Sequence, residues 1–426
     1  MSWYKIVLLF VVFTSLQALE ITQEEKYALD KMSEDSLIIS ALFFQDKEEY
    51  FRSQKYFAYL YAKTLNREYL YKEVGSSIFS NIDTATNITK MEEFKKLYPD
   101  DLEPKRLLIS LYINTQEYPK SKRVATELIE YSQTQSDLEF AANPYIYLQE
   151  YREAIKLLDR AYAIEFDETV LFRIVAILIV NEQNHQEAIK RLEAHKSMVE
   201  SSGEVLKYLI NLYASIDDSK NLLRVYTEYY LQNGLKEHRD NIVEIYIAVP
   251  DYQGAIEFLE KYADDAKSHE TLFNLYKENQ KYPKALEIAQ KLYNEYQDPK
   301  WYAEMGIVTF EEAKDKKSKP MLQKVADYFE KAIGLGLNES IYLNYYGFTL
   351  IDEELNIERG IELIEKALKN EPTNAYYLDS LAWGYYKKKE CNKAYEIIKK
   401  LIDDYGEFED EIKVHFDQIK NCKNKG

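Results

Sequence analysis

The sequence predicts an all-α chain, a solenoid of about eleven helix-turn-helix units with a C-terminal capping helix, and three regularities predict it. The first is a bulky residue followed three positions later by a small one, as in Tyr151-Arg152-Glu153-Ala154 and Tyr282-Pro283-Lys284-Ala285. It returns about every 34 residues, the length of one helical hairpin. The second is the series of residues at that small position: Ser53, Asn87, Ser121, Ala154, Ala188, Leu222, Ala255, Ala285, Val325, Gly360 and Ala394. The third is their company. Nine residues earlier stand Phe44, Tyr112, Tyr145, Ile179, Tyr213, Tyr246, Tyr276 and Tyr385, and seven later stand Leu60, Leu128, Ala161, Leu292, Ala332, Ala367 and Leu401. Apolar residues at these offsets share one helical face, so each unit buries a stripe against its neighbours.

Taken in order, residues 1–18 read as a secretory signal: Lys5 precedes the apolar run Ile6 to Phe13, and Ala18 is a small residue at the cleavage position. That run falls short of the roughly 20 apolar residues of a spanning helix. An uncleaved membrane tether is the other reading. No cysteine lies near the site, which excludes a lipoprotein anchor. Residues 19–33 form an N-terminal capping segment, 34–407 the solenoid, and 408–426 a capping helix (from about Phe408 to Lys420) with a basic tail. Within the solenoid Asn87, Leu222 and Val325 depart from the small residue, and Pro144 interrupts a first helix and is expected to shorten it. The seventh unit is short. The ninth carries an inserted Asp315-Lys316-Lys317-Ser318-Lys319-Pro320, read as a polar loop.

Tyr346-Gly347, Gly360, Ala367-Leu368 and Pro372, followed by Leu381-Ala382, Tyr385 and Ala394, resemble the tetratricopeptide repeat, and the likeness runs from about Glu34 to about Asp404. The resemblance implies a right-handed α-solenoid superhelix whose first helices line a concave surface. It also implies protein or peptide partners.

The formal charge is -18, spread without long single-sign blocks. Phosphate backbones and anionic lipid would be repelled, so nucleic acid is excluded as a partner and membrane association is left to partners or an uncleaved signal. Lys420, Lys423 and Lys425 complement a helix C-terminus. The 39 tyrosines either interlock the repeats or line a binding groove.

Cys391 and Cys422 are the only cysteines. They lie about one helix length on either side of a turn near Tyr405-Gly406-Glu407, so an antiparallel hairpin would bring them face to face. Export to an oxidising compartment then favours a disulfide, and two unpaired thiols are the alternative. His185, His195, His238, His269 and His415 show no metal-ligand spacing, and no Walker, Rossmann or nucleophile-elbow motif occurs. Gly334-Leu335-Gly336 reads as a helix end. No cofactor, metal or small-molecule substrate is predicted, and the chain is expected not to be an enzyme.

Two binding surfaces are expected. Lys207, Asn211, Asn241 and Lys267 resemble the carboxylate clamp of some tetratricopeptide proteins, in which lysines neutralise a peptide C-terminus and asparagine amides grip its backbone. The match is incomplete, because Thr271 stands where the family has an arginine and the short seventh unit would leave Lys267 in a loop. Ordinary solvated side chains are the alternative. The second surface joins Phe348, Tyr376, Trp383 and Tyr386 with Asn344 and Asp379 on the first helices of the last two units, aromatic anchors beside polar groups. The runs Tyr345-Tyr346-Gly347-Phe348-Thr349-Leu350 and Ala375-Tyr376-Tyr377-Leu378-Asp379-Ser380-Leu381-Ala382-Trp383 resemble the C-terminal repeats of bacterial envelope proteins of this family, some of which deliver substrates to carboxy-terminal processing proteases. The expectation is a periplasmic, non-catalytic scaffold or adaptor. A structural subunit of a secretion or flagellar-motor assembly is the alternative.

Overall fold

The computed structural model describes residues 21–199, 202–405 and 410–425. Among them are 24 α-helices, one π-helical turn at Ile177–Asn181 and no strand. The segment read as an export signal lies outside the described residues. None of the described helices is long and apolar enough to cross a membrane. The chain divides into two compact bodies, one ending at Val225 and the other beginning at Tyr226.

The first body opens with the helix Gln23–Asp30, whose start is fixed by a capping box between Thr22 and Glu25. Helical hairpins follow: Glu34–Asp46 with Tyr50–Thr64, Arg67–Ser80 with Thr84–Leu97, Glu103–Asn114 with Tyr118–Tyr131, and Gln135–Tyr147 with Tyr151–Glu165. Glu168–Ala176, prolonged by the π turn, pairs with His185–Met198, and Gly203–Ser215 comes next; Ser219–Asn233 spans the division. The second body holds Lys236–Ala248 with Tyr252–Tyr262, Ala266–Glu278 with Tyr282–Tyr296, Lys300–Glu312 with Lys319–Gly334, Ser340–Asp352 with Ile357–Asn370, and Ala375–Lys387 with Cys391–Tyr405. Asp410–Lys425 closes it.

The small position has a simple geometric meaning. It is the fourth residue of the second helix in ten of the eleven hairpins, the exception being Val325. Ser53, Asn87, Ser121, Ala154, Ala188, Ala255, Ala285 and Ala394 are wholly inaccessible to solvent, whereas Leu222 is half-buried. The tenth hairpin shows how close the helices come: a Cβ on Gly360 would lie 2.6 Å from the carbonyl oxygen of Gly347, and one on Gly347 2.9 Å from that of Gly360. Where the position is not small, the partner helix changes. Asn87 donates from Nδ2 to the hydroxyl of Ser77 at 2.7 Å, and opposite the helix of Val325 stands Gly306, whose Cβ would meet the Phe329 ring at 2.8 Å. Between paired helices the chain turns through left-handed residues, among them Gln116 (φ 61), Gln149 (φ 61), Gln183 (φ 50) and Gln280 (φ 56).

The tyrosines supply rungs between successive hairpins. Tyr112 donates to Glu92 (2.9 Å), Tyr213 to Glu193 (2.9 Å), Tyr276 to Glu260 (2.6 Å), Tyr346 to Glu330 (3.2 Å) and Tyr385 to Glu365 (2.8 Å). Burial of the ring with a carboxylate accepting from its hydroxyl pushes Tyr112 and Tyr213 up to about 12, because an ionised phenolate there would be poorly solvated and repelled.

Two sequence expectations are corrected. Pro144 does not shorten its helix: Gln135–Tyr147 runs 13 residues with Pro144 inside it, as long as other first helices, the loss being the single bond the Pro144 nitrogen does not donate. The ninth-unit insertion is shorter than read, since Lys319 already begins the helix and Pro320 occupies its first turn, where a missing N–H costs nothing.

Candidate functional site

Three of the four clamp residues are held by neighbours in their own bodies. In the first body Lys207 lies 2.6 Å from Glu204 one turn away, and Asn211 is exposed. In the second, the amide of Asn241 donates to Tyr226 Oη at 2.7 Å and the Lys267 ammonium contacts Asp240 Oδ2 at 2.7 Å. Lys267 is the second residue of Ala266–Glu278, not part of a loop. Its hydrogen bond with Asp240 holds its pKa above the ordinary lysine value, so an incoming carboxylate would compete with one already in place. Asp240 also serves the buried Arg239, which binds Asp264 and Asp265.

The second expected surface is divided by the C-terminal helix. Ile412, His415 and Ile419 form its buried stripe, spaced three and four residues apart on one face. His415 stacks on Trp383 with ring centroids 4.1 Å apart and bonds through Nδ1 to Asp379 Oδ2 at 2.8 Å. The indole nitrogen of Trp383 donates to Asp352 Oδ1 at 3.0 Å, its ring lies 4.8 Å from that of Tyr386, and the Lys387 ammonium sits 5.4 Å from its centroid. Trp383 is therefore 6% exposed and closed to a partner, a correction to its assignment as a binding anchor. Sequence reasoning missed this because nothing in the repeat pattern says where a helix outside the pattern will dock. Cys391 and Cys422 are joined in a disulfide, Cα atoms 5.7 Å apart, which ties that helix to the last hairpin.

What remains open is a cleft of about 370 Å³ in the second body. Its floor is one face of Ser340–Asp352: Ile341, Asn344, Tyr345, Phe348, Thr349 and Asp352, at helical spacing. Phe310 and Glu311 end one wall, Tyr376, Asp379 and Ser380 form another, and Glu411 and Ile412 of the C-terminal helix close the side. Four expected residues, Asn344, Phe348, Tyr376 and Asp379, thus meet in one place. Thr349 and Ser380 turn their hydroxyls back onto the carbonyls of Tyr345 and Tyr376, one turn earlier, at 2.9 Å each. Asn344 Oδ1 and Asp379 Oδ1 are buried with no hydrogen-bond partner. Tyr345 donates to Glu311 Oε1 at 3.1 Å, and burial with that neighbouring carboxylate raises its pKa far above the usual phenol value.

Among the described residues no group of three or more His, Cys, Asp or Glu is arranged to hold a metal ion. The buried histidines have local tasks instead: His195 bonds Tyr162 at 2.7 Å, and His269 bonds the carbonyl of Asp265 at 2.8 Å.

No protein-family model matches the chain. A curated relative, a TPR repeat-containing protein of Methanocaldococcus jannaschii, is 30% identical over 213 residues, which are 47% of this chain and 35% of that protein. The chain thus spans about a third of the length of the curated relative it matches. Among solved structures, YrrB, described as a TPR protein with an unusual peptide-binding site, aligns with a TM-score of 0.34 at 16% identity over 47% of this chain and 97% of its own. Yeast Tom70 aligns with a TM-score of 0.37 at 12% identity over 95% of this chain and 97% of its own.

Proposed function

We propose that this tetratricopeptide-type repeat chain is a non-catalytic, exported scaffold that holds a segment of a partner protein in the cleft of its last three hairpins. The observation that carries the reading is the cleft itself. It offers exposed aromatic and apolar side chains around buried acceptors that lack partners, and a protein segment supplies both the apolar contact and the donors that such a site wants. Export is supported by Lys5 with the apolar run Ile6 to Phe13, and by a cysteine pair of the kind kept oxidised outside the cytosol. The likeness of the last two hairpins to adaptors of carboxy-terminal processing proteases supports delivery of substrates to an envelope protease as the specific role.

Placing a photocrosslinking residue at Ile341, which is 65% exposed in the cleft, tests the reading in intact cells against one at Ile39, 67% exposed in the first body. A protease and its substrates captured from Ile341 and not from Ile39 support the adaptor. Machine components captured in fixed stoichiometry move the assignment to a structural subunit, and identical capture from both positions removes the cleft. Recovery of the uncleaved chain in the cytosolic fraction with both thiols reduced would remove export.

A further inference from the structure

We infer that the cleft is specific for a basic side chain, an arginine or lysine presented by an extended partner segment; this rests on the protein-binding reading above. The cleft is acidic and aromatic at once. Glu311, Asp352, Glu353, Asp379 and Glu411 line it, and none of its described lining residues is lysine or arginine. Acidic surface alone would mean little on a chain of net charge -18.

The deciding group is Asp379. It is 6% exposed, lines the cleft, and uses only Oδ2, on His415; its Oδ1 has no donor. Asn344 Oδ1 lies in the same cleft in the same condition. A buried carboxylate oxygen without a donor is costly, so a ligand that brings N–H groups is favoured over one that brings only apolar surface. A guanidinium carries five donors in a fixed plane and no acceptor, which matches two acceptors with nothing to give back. The faces of Phe348 and Tyr376 add attraction for a cation near their rings. An acidic segment would meet repulsion from the cleft carboxylates, although Lys316 lies 3.5 Å from Glu311 and Lys387 3.9 Å from Asp352, and a wholly apolar one would leave Asp379 Oδ1 unpaired. Tyr376, 57% exposed, forms part of the cleft wall, and a donor reaches the buried Asp379 Oδ1 only if cleft side chains shift on binding.

The test uses the full mature chain and an immobilised library of random ten-residue peptides, followed by fluorescence anisotropy on the selected sequence with its basic residue intact or replaced by citrulline. The expected result is enrichment of arginine or lysine at one position and a loss of roughly tenfold or more in affinity on citrulline substitution. Glu311→Gln, an exposed and structurally mild change, and Asp379→Asn, which keeps a hydrogen-bonding side chain toward His415, should each weaken the basic peptide and leave the citrulline peptide unchanged. Should Asp379→Asn loosen the C-terminal helix, Glu311→Gln still decides. Selection without charge preference, equal binding of the citrulline peptide, or binding of free spermidine in preference to peptide overturns the inference. If Ile341 crosslinks a partner while the library shows no basic preference, only the specificity is wrong; if neither captures anything, the scaffold reading fails with it.

Discussion

Replacing both cysteines, Cys391→Ser with Cys422→Ser, removes the covalent tie between the last hairpin and the helix Asp410–Lys425. The two positions are 31 residues apart in sequence, and closing a loop of that size limits the entropy of the open state by about 3.7 kcal/mol in the chain-entropy treatment. That figure corresponds to roughly 500-fold in the population of the undocked helix. Without the tie the helix is still held by buried Ile412 and Ile419, by the stack of His415 on Trp383 and by the His415–Asp379 bond. It should therefore stay docked on average but open far more often. Amide hydrogen exchange reads this directly, because repeat arrays open locally and a single global unfolding energy would hide the effect. Exchange should accelerate by up to about 500-fold in Asp410–Lys425, and Trp383 fluorescence should show greater exposure, while Tyr151–Glu165 in the first body keeps its protection. A change within about twofold would mean that packing alone fixes the helix and that the disulfide has no mechanical role.

Three further outcomes follow from the packing. Lys90 and Glu73 form an ion pair at 3.1 Å with side chains 2% and 1% exposed, so Glu73→Leu alone should cost about 3–5 kcal/mol by taking the carboxylate away from a buried ammonium. Glu73→Leu combined with Lys90→Met should recover most of that in denaturant unfolding of the first body. Gly360→Ala would set a Cβ against the Gly347 carbonyl, and thermal unfolding of the second body should show a loss of about 1–3 kcal/mol, as for other overpacked sites. Tyr112 and Tyr213 stay protonated up to about 12 in the folded chain, against an ordinary 10.0. The rungs they form are thus fully present below pH 10 and are lost as the pH rises through 12, because the unfolded chain releases those protons first. Circular-dichroism melts taken across that window should show falling stability together with the phenolate absorbance; unchanged melts would remove the rungs from the account.

The fold was legible because a repeat writes the same physical requirement many times over. Ala154 or Ala285 alone says little, but a small residue returning beside a bulky one marks the close approach of paired helices in most of the hairpins. Even the departures are intelligible once the partner helix is seen, as Ser77 opposite Asn87 shows. The clamp was harder to judge, since Lys207, Asn241 and Lys267 have the right chemistry for a carboxylate and sequence cannot tell that Glu204, Tyr226 and Asp240 already hold them. The aromatic surface was half legible. Phe348, Tyr376, Asn344 and Asp379 were found from helical spacing, whereas Glu311 and Glu411 come from other elements and had no signal.

The sequence by itself determined the hairpin architecture and the small buried position of most second helices, because these depend on contacts between neighbours of fixed spacing. Only the tertiary structure decided which groups remain free to act. A helix beyond the last repeat, placed by non-local burial and one disulfide, closes over Trp383, takes one oxygen of Asp379 and leaves the other buried beside the cleft without a hydrogen-bond partner.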